Sequence, residues 1–124
     1  MNKEFVPYQP SLDMKEIGFD EPCFGYHLDN KFQFFADVRS CNTNSEFGFY
    51  PTAPTFSQAF RWFREKYNFC YFIRGNNYDG YSYNIDNLGL LQYKFEIDYR
   101  FTFKTYEEAE LECLKKLIEI VKNK

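Results

Sequence analysis

From residue 91 to residue 103 the chain alternates without interruption. Leu91, Tyr93, Phe95, Ile97, Tyr99, Phe101 and Phe103 take the odd positions, and Gln92, Lys94, Glu96, Asp98, Arg100 and Thr102 fall between them. Period-two alternation is the pattern of a strand with one wet face. Burying the apolar set at roughly 1.5–3 kcal/mol per side chain gives about 10–20 kcal/mol gross. Ordering the backbone at about 1–2 kcal/mol per residue cancels that gain, so the strand needs neighbours at both edges and a cover over its apolar face. At about 3.3 Å per residue it would extend ~43 Å, longer than the about 27 Å of the helix predicted to close the chain. The excess predicts a bend or bulge near Tyr99 and Arg100, or else a second copy covering Tyr99, Phe101 and Phe103; the bend is the favoured of the two.

The same alternation recurs upstream. Residues 23–28 set Phe24, Tyr26 and Leu28 on the apolar side and Gly25 and His27 on the wet side. Asp29, Asn30 and Lys31 turn the chain, and residues 32–38 place Phe32, Phe34, Ala36 and Val38 inward, which together predict a β-hairpin. Its wet face would carry His27, Gln33, Phe35, Asp37 and Arg39. Residues 46–50 predict a short third strand ended by Pro51 and Pro54. Residues 69–74 and 81–86 predict two more strands around a loop, 75–80, rich in residues that tolerate positive φ. With residues 91–103 they form an antiparallel meander.

Three stretches have helical period. Residues 7–17 begin with a proline, which does no harm there, and run into Gly18, where a left-handed C-cap belongs. Residues 55–67 open on a capping box, Thr55 with Gln58, and carry a narrow stripe of Phe56, Ala59, Phe60, Phe63 and Tyr67 with Trp62 outside it. Residues 105–122 open on a second box, Thr105 with Glu108, and carry an apolar stripe about 200° wide, to be buried on more than one side. Residues 1–6 read as a loose arm. The fold class is therefore α+β, with antiparallel sheets of five to six strands and helices on one face, in the order α-βββ-α-βββ-α, as one domain over residues 1–124.

Composition changes this picture in three ways. Aromatic residues are 23 % of the 124-residue chain, with 16 Phe and 11 Tyr, so the core must be built largely of rings packed edge to face. AT-rich codons produce the same bias. The net charge of −3 is spread over interspersed signs, which disfavours nucleic acid and anionic membranes as partners. No apolar run approaches a membrane span and no basic-then-apolar leader is present, so a soluble, cytoplasmic protein is expected. The cysteines at 23, 41, 70 and 113 form no CxxC pair and His27 is the lone histidine. Metal-site spacing is absent, no cofactor motif is recognisable, and the thiols read as reduced structural residues.

Three blocks, residues 17–26, 56–67 and 105–122, resemble a family of small uncharacterised proteins of gut Bacteroidota and their phages and mobile elements. They cover about a third of the chain. The resemblance implies a genomic context, a small accessory protein encoded by a phage or mobile element, and carries no catalytic residue across.

Candidate chemistry is sparse. His27 with a carboxylate such as Asp37 would be the start of a general-base site, yet no serine or cysteine elbow, phosphate-cradling loop or zinc motif accompanies it. Glu110 falls within the apolar stripe of the last helix, where a desolvated carboxylate marks a candidate site. Trp62, Phe35 and Tyr78 break their local patterns as aromatics offered to solvent, and exposed aromatics anchor interfaces. The leading expectation is a non-catalytic protein that binds a protein partner or itself through the sheet edge and these rings. The alternative is a small-molecule or nucleotide-sequestering protein using Arg61, Trp62, Arg74 and Tyr78; a small hydrolase centred on His27 ranks third.

Overall fold

The structure, a computed structural model, describes residues 4–35, 42–48, 50–76, 80–87, 96–97 and 103–123. In chain order the elements are α1 (Tyr8–Glu16), β1 (Gly25–Leu28), β2 (Lys31–Phe34), α2 (Asn44–Phe47), β3 (Thr52–Ala53), α3 (Phe56–Tyr67), β4 (Phe69–Asn76), β5 (Gly80–Asn87), β6 (Glu96–Ile97) and α4 (Tyr106–Lys122). Among the described residues the strand pairs are antiparallel and fall into two sheets, β2-β1-β3 and β4-β5-β6. The chain is thus α+β with antiparallel sheets; between β2 and β3 it has a short helix, α2, that the expected order lacks. Its contacts gather into two compact units, residues 1–59 and 60–123.

In the first unit α1 ends in a Schellman turn: Gly18, at φ 100°, donates to the Lys15 carbonyl and Phe19 donates to the Met14 carbonyl at 2.9 Å. This left-handed position is where a glycine is required. Met14 and Phe19 are both fully buried. Residues 5 and 6 are not a loose arm. Phe5 bridges Thr55, Val6 N–H donates to the Pro54 carbonyl at 2.8 Å, and the Val6 side chain is fully buried.

β1 runs in the opposite phase to the one its hydrophobicity predicts. Gly25 and His27 are buried, whereas Phe24 is 48 % and Leu28 37 % exposed. The reason is close approach: a Cβ on Gly25 would lie 2.6 Å from the Gln33 carbonyl oxygen and 2.6 Å from Cζ of Phe32, whose ring fills that space. Only the small residue admits the ring, so the glycine side becomes the packed side. Glu46 and Phe47 do not begin the predicted strand either. Thr43 and Glu46 close a capping box (Glu46 N to Thr43 Oγ1 3.1 Å) that starts α2, and Gly48 at φ 77° stops it. The third strand comes later, as Gly25 pairs Ala53 and Tyr26 pairs Thr52. The predicted inward Ala36 and Val38, with Asp37 and Arg39, lie outside the described residues.

α3 is capped as expected by Thr55, whose hydroxyl accepts from Gln58 N–H at 3.1 Å. The Gln58 side chain does not complete the box; its amide donates instead to the Pro22 carbonyl at 2.7 Å. In the second unit β4 and β5 pair along their whole length, from Phe69 with Asn87 to Asn76 with Gly80. α4 packs on both strands and buries Ala109, Cys113, Leu114, Leu117 and Ile118, the centre of the wide stripe read from the sequence. Gly75 leaves room for the ring of its partner Tyr81, whose atoms a Cβ there would meet.

Of the long alternating stretch, residues 96–97 and Phe103 are described. Ile97 pairs with Asn84 and Phe103 bridges Tyr81. Six positions separate Ile97 from Phe103, and their β5 partners Asn84 and Tyr81 are three apart. Tyr99 and Arg100, where a bend is expected, lie outside the described residues.

Candidate functional site

The phase of β1 decides what the first sheet shows on its outer side. Tyr26 stands opposite Thr52 and Gln33 and collects three further rings. Phe35, which follows β2, lies 5.1 Å from Tyr26; Phe47 of α2 lies 4.8 Å from Tyr26 and 5.1 Å edge-on to Phe35; and Tyr50 stacks 6.3 Å from Tyr26. These separations and tilts are those of favourable aromatic pairs. Tyr26, Phe35 and Phe47 are half-buried and Tyr50 is 36 % exposed. Phe24 and Leu28, which flank Tyr26 by two positions on either side, are the exposed residues noted above. Phe35 was singled out from the sequence as a lone aromatic on a polar face; it belongs instead to a ring-rich face.

That face rests on built-in supports. The hairpin turns through Asp29 at φ 54°. α2, which carries Phe47, is tied down at its start by Asp20, whose carboxylate accepts from Ser45 N–H and Ser45 Oγ–H, both at 2.7 Å. Those two bonds hold the Asp20 carboxyl below the ordinary carboxylate range. Asn44 donates to the Phe19 carbonyl at 2.8 Å and accepts from Thr52 N–H at 3.0 Å, linking α2 to β3. A concavity of about 260 Å³ lies here, lined by Lys15, Gly18, Phe19, Asp20, Asn44 and Ser45. Asp20 and Asn44 spend their hydrogen bonds within the fold, so this hollow reads as a by-product of the supports.

The opposite side of the same sheet holds His27. Its ring is buried, Nε2 lies 2.8 Å from the Val6 carbonyl oxygen, and the rings of Tyr8 and Phe32 stand edge-on at 6.0 and 5.9 Å. Burial depresses its pKa, opposed by the bond to Val6. The sequence reading put His27 on the wet face beside carboxylates, ready for general-base work; the inverted phase removes it from solvent and gives it a backbone partner.

In the second unit Glu110 joins a set of hydroxyl and thiol groups between β4 and α4. Phe60 stacks on Tyr71 at 3.8 Å and 15°, and Glu110 and Cys113 lie one and two turns beyond Tyr106 on α4. Burial pushes the Tyr71 phenol up to about 12, with Tyr106 and Glu110 adding to it. Burial, then the Glu107 charge, raises Glu110; burial, then Glu110, raises Cys113 far above an ordinary thiol. Each group is biased toward its neutral form, which is the reverse of what a nucleophile needs.

Among the remaining sequence candidates, Arg61 and Trp62 lie on α3 and Arg74 on β4. Trp62 was expected on the flank of α3 as an exposed ring. It is 6 % exposed, set edge-on to Phe63 at 5.0 Å and Tyr67 at 5.6 Å, with the Lys66 ammonium 5.1 Å over its face. Counting it out of the apolar stripe missed that an α3 with Phe63 and Tyr67 on one side has a wider buried face. Arg61 and Arg74 are exposed, Tyr78 lies outside the described residues, and Phe35 belongs to the other unit from Arg61, Trp62, Arg74 and Glu110. The residues the sequence reading missed are Tyr26, Phe47 and Tyr50; the signal that could have found Phe47 was the capping spacing of Thr43 and Glu46, which places it on a helix. Among the described residues no group of three or more His, Cys, Asp or Glu is placed to hold a metal ion, and no helix is long and apolar enough to cross a membrane. Comparison with protein-family models, with curated proteins and with solved structures finds no match for the chain.

Proposed function

We propose that this chain is a small non-catalytic accessory protein that binds a protein partner, a second copy of itself included, through the ring-rich face of the β2-β1-β3 sheet. The observation that carries the reading is the exposure of Phe24, Leu28 and Tyr50 around the half-buried Tyr26, Phe35 and Phe47. Aromatic residues supply large contact area at small entropic cost and dominate the energetics of interfaces. An exposed apolar set of this kind, rimmed by Lys31 and Gln33, is what interaction surfaces present. The resemblance noted in the sequence supports an origin in a phage or mobile element, with a cytoplasmic host or defence process as the setting.

A small-molecule or nucleotide-sequestering role draws less support. One of its expected contact residues, Trp62, is core, and the concavity beside Asp20, at about 260 Å³, is smaller than the roughly 300–1,000 Å³ of ligand pockets. A hydrolase using His27 would need the imidazole free, and it is bonded to Val6. The test is light scattering with size exclusion over a concentration series, joined to affinity capture from host lysate. The reading expects concentration-dependent mass or a stoichiometric partner. A strict monomer that retains nothing overturns it.

A further inference from the structure

Val6 is pinned from three directions. Its N–H donates to Pro54 at 2.8 Å, and its carbonyl oxygen accepts from Ser11 Oγ at 3.0 Å and from His27 Nε2 at 2.8 Å. A carbonyl can only accept, so Nε2 carries the hydrogen and the neutral ring leaves Nδ1 bare. That nitrogen is buried and has no hydrogen-bond partner among the described residues. A second proton would have to go onto Nδ1, creating a cation with an unpaired N–H out of water.

Among the described residues, the groups facing the ring offer no compensation. From α1 it meets the Tyr8 phenol ring, from β2 the Phe32 ring, and from the chain before α1 the Val6 carbonyl; β3 is preceded by Pro51, whose carbonyl accepts the His27 backbone N–H at 3.0 Å. None of these carries a charge at neutral pH. Burial and the Val6 bond are the causes of its shift, with no carboxylate or cation among them.

We propose that His27 is an acid-sensitive latch for Phe5 and Val6: protonation of its imidazole releases these residues from the sheet and the start of α1. Release opens the contact of Phe5 with Phe32, now at 4.4 Å, and uncovers the fully buried Val6. The apolar surface already formed there by the exposed Phe34 then grows in acid by Val6 and the face of Phe32. The sign follows from linkage. A histidine depressed in the closed state binds its proton only after opening, so the closed state is favoured above the open-state value near 6.5 and loses ground as pH falls below it, by up to tenfold per unit until the closed-state pKa is reached.

His27 is the only histidine, so its ring gives one unambiguous NMR titration, and the test uses the full chain. Between about pH 7.5 and about pH 5 the intrinsic-rate-corrected exchange of the Val6 amide should rise, toward a ceiling of about thirtyfold, while the amides of Leu114 and Leu117 keep their protection. The His27 ring should titrate below its ordinary value. His27→Gln, which retains a donor for Val6 but cannot titrate, should make Val6 exchange independent of pH. An ordinary His27 titration, pH-independent Val6 protection in the wild type, equal loss of protection at Leu114, or unchanged pH dependence in His27→Gln each overturns the latch. If His27→Gln does not fold, the wild-type titration and exchange decide alone.

Discussion

Replacing Gly25 by alanine adds one methyl group where the first sheet has no space for it. The new Cβ would sit 2.6 Å from the Gln33 carbonyl oxygen and 2.6 Å from Cζ of Phe32, about 1 Å inside an optimal contact of roughly 3.5–4.0 Å. The carbonyl belongs to the ladder in which Tyr26 pairs with Gln33, so it cannot retreat without loosening the hairpin. The Phe32 ring must therefore swing, and it leaves Phe5 at 4.4 Å and Phe34 at 4.8 Å. Overpacking costs about 1–3 kcal/mol, and two lost ring contacts cost roughly 0.5–1.5 kcal/mol each. Alanine recovers about 0.4–1 kcal/mol by restricting the unfolded chain. The net is a loss of about 3 kcal/mol. In urea unfolding followed by far-UV circular dichroism, a slope of about 2 kcal/mol/M converts this into a midpoint lower by roughly 1.5 M. Gly48→Ala is the control: nothing lies within 4 Å of its added Cβ, and its φ of 77° leaves only left-handed strain, about 1–2 kcal/mol. A Gly25→Ala midpoint within error of wild type, or above that of Gly48→Ala, would refute the reason given for the inverted phase of β1.

Three further outcomes follow from burial and charge. Leu117, at 1 % exposure on α4, should lose about 2–5 kcal/mol on truncation to alanine, whereas Phe72, at 55 % exposure on the face of β4 away from Tyr71, should lose less than about 1 kcal/mol; paired thermal melts compare them. Glu110 has a raised pKa, so in the folded state it holds its proton more tightly; its stabilising effect is present in acid and lost as pH rises through the folded value. Glu110→Gln should accordingly melt above wild type at neutral pH, with the gain vanishing near pH 4, and a gain that grows toward acid would be inconsistent with this sign. The Tyr71 phenol, at about 12, should appear as a late step in a 295 nm alkaline titration and disappear in Tyr71→Phe.

The readable parts of the fold were those in which local chemistry and burial agree. α1 with Gly18, α3 with Thr55, α4 with its capped start and wide stripe, and the β4–β5 pair all combine a stop or start signal with the right period. The phase of β1 was not readable, because Cys23, Gly25 and His27 alternate with Phe24, Tyr26 and Leu28 and hydrophobicity alone favours the larger set. What decided it was the fit of Phe32 over Gly25 and the cover supplied by Val6, both of them distant in sequence or dependent on turn geometry. The same blind spot moved His27 from a wet face to a buried one, and with it the hydrolase reading. α2 was legible in principle from Thr43 and Glu46, but the aromatic content of residues 46–50 weighed toward a strand. Gln58 shows a limit of motif reading: its backbone took the capping position while its side chain went to Pro22.

The central claim, that the outer rings of the first sheet serve contact and not folding, is tested most directly by the double variant Phe24→Ser, Leu28→Ser. Melting temperature and association are measured on the same samples. The account predicts a melting temperature within about 2–3 °C of wild type, as for exposed positions, together with loss of the self-association or partner capture that the wild type shows. A fall in melting temperature as large as that of Leu117→Ala, or association left unchanged, would contradict it.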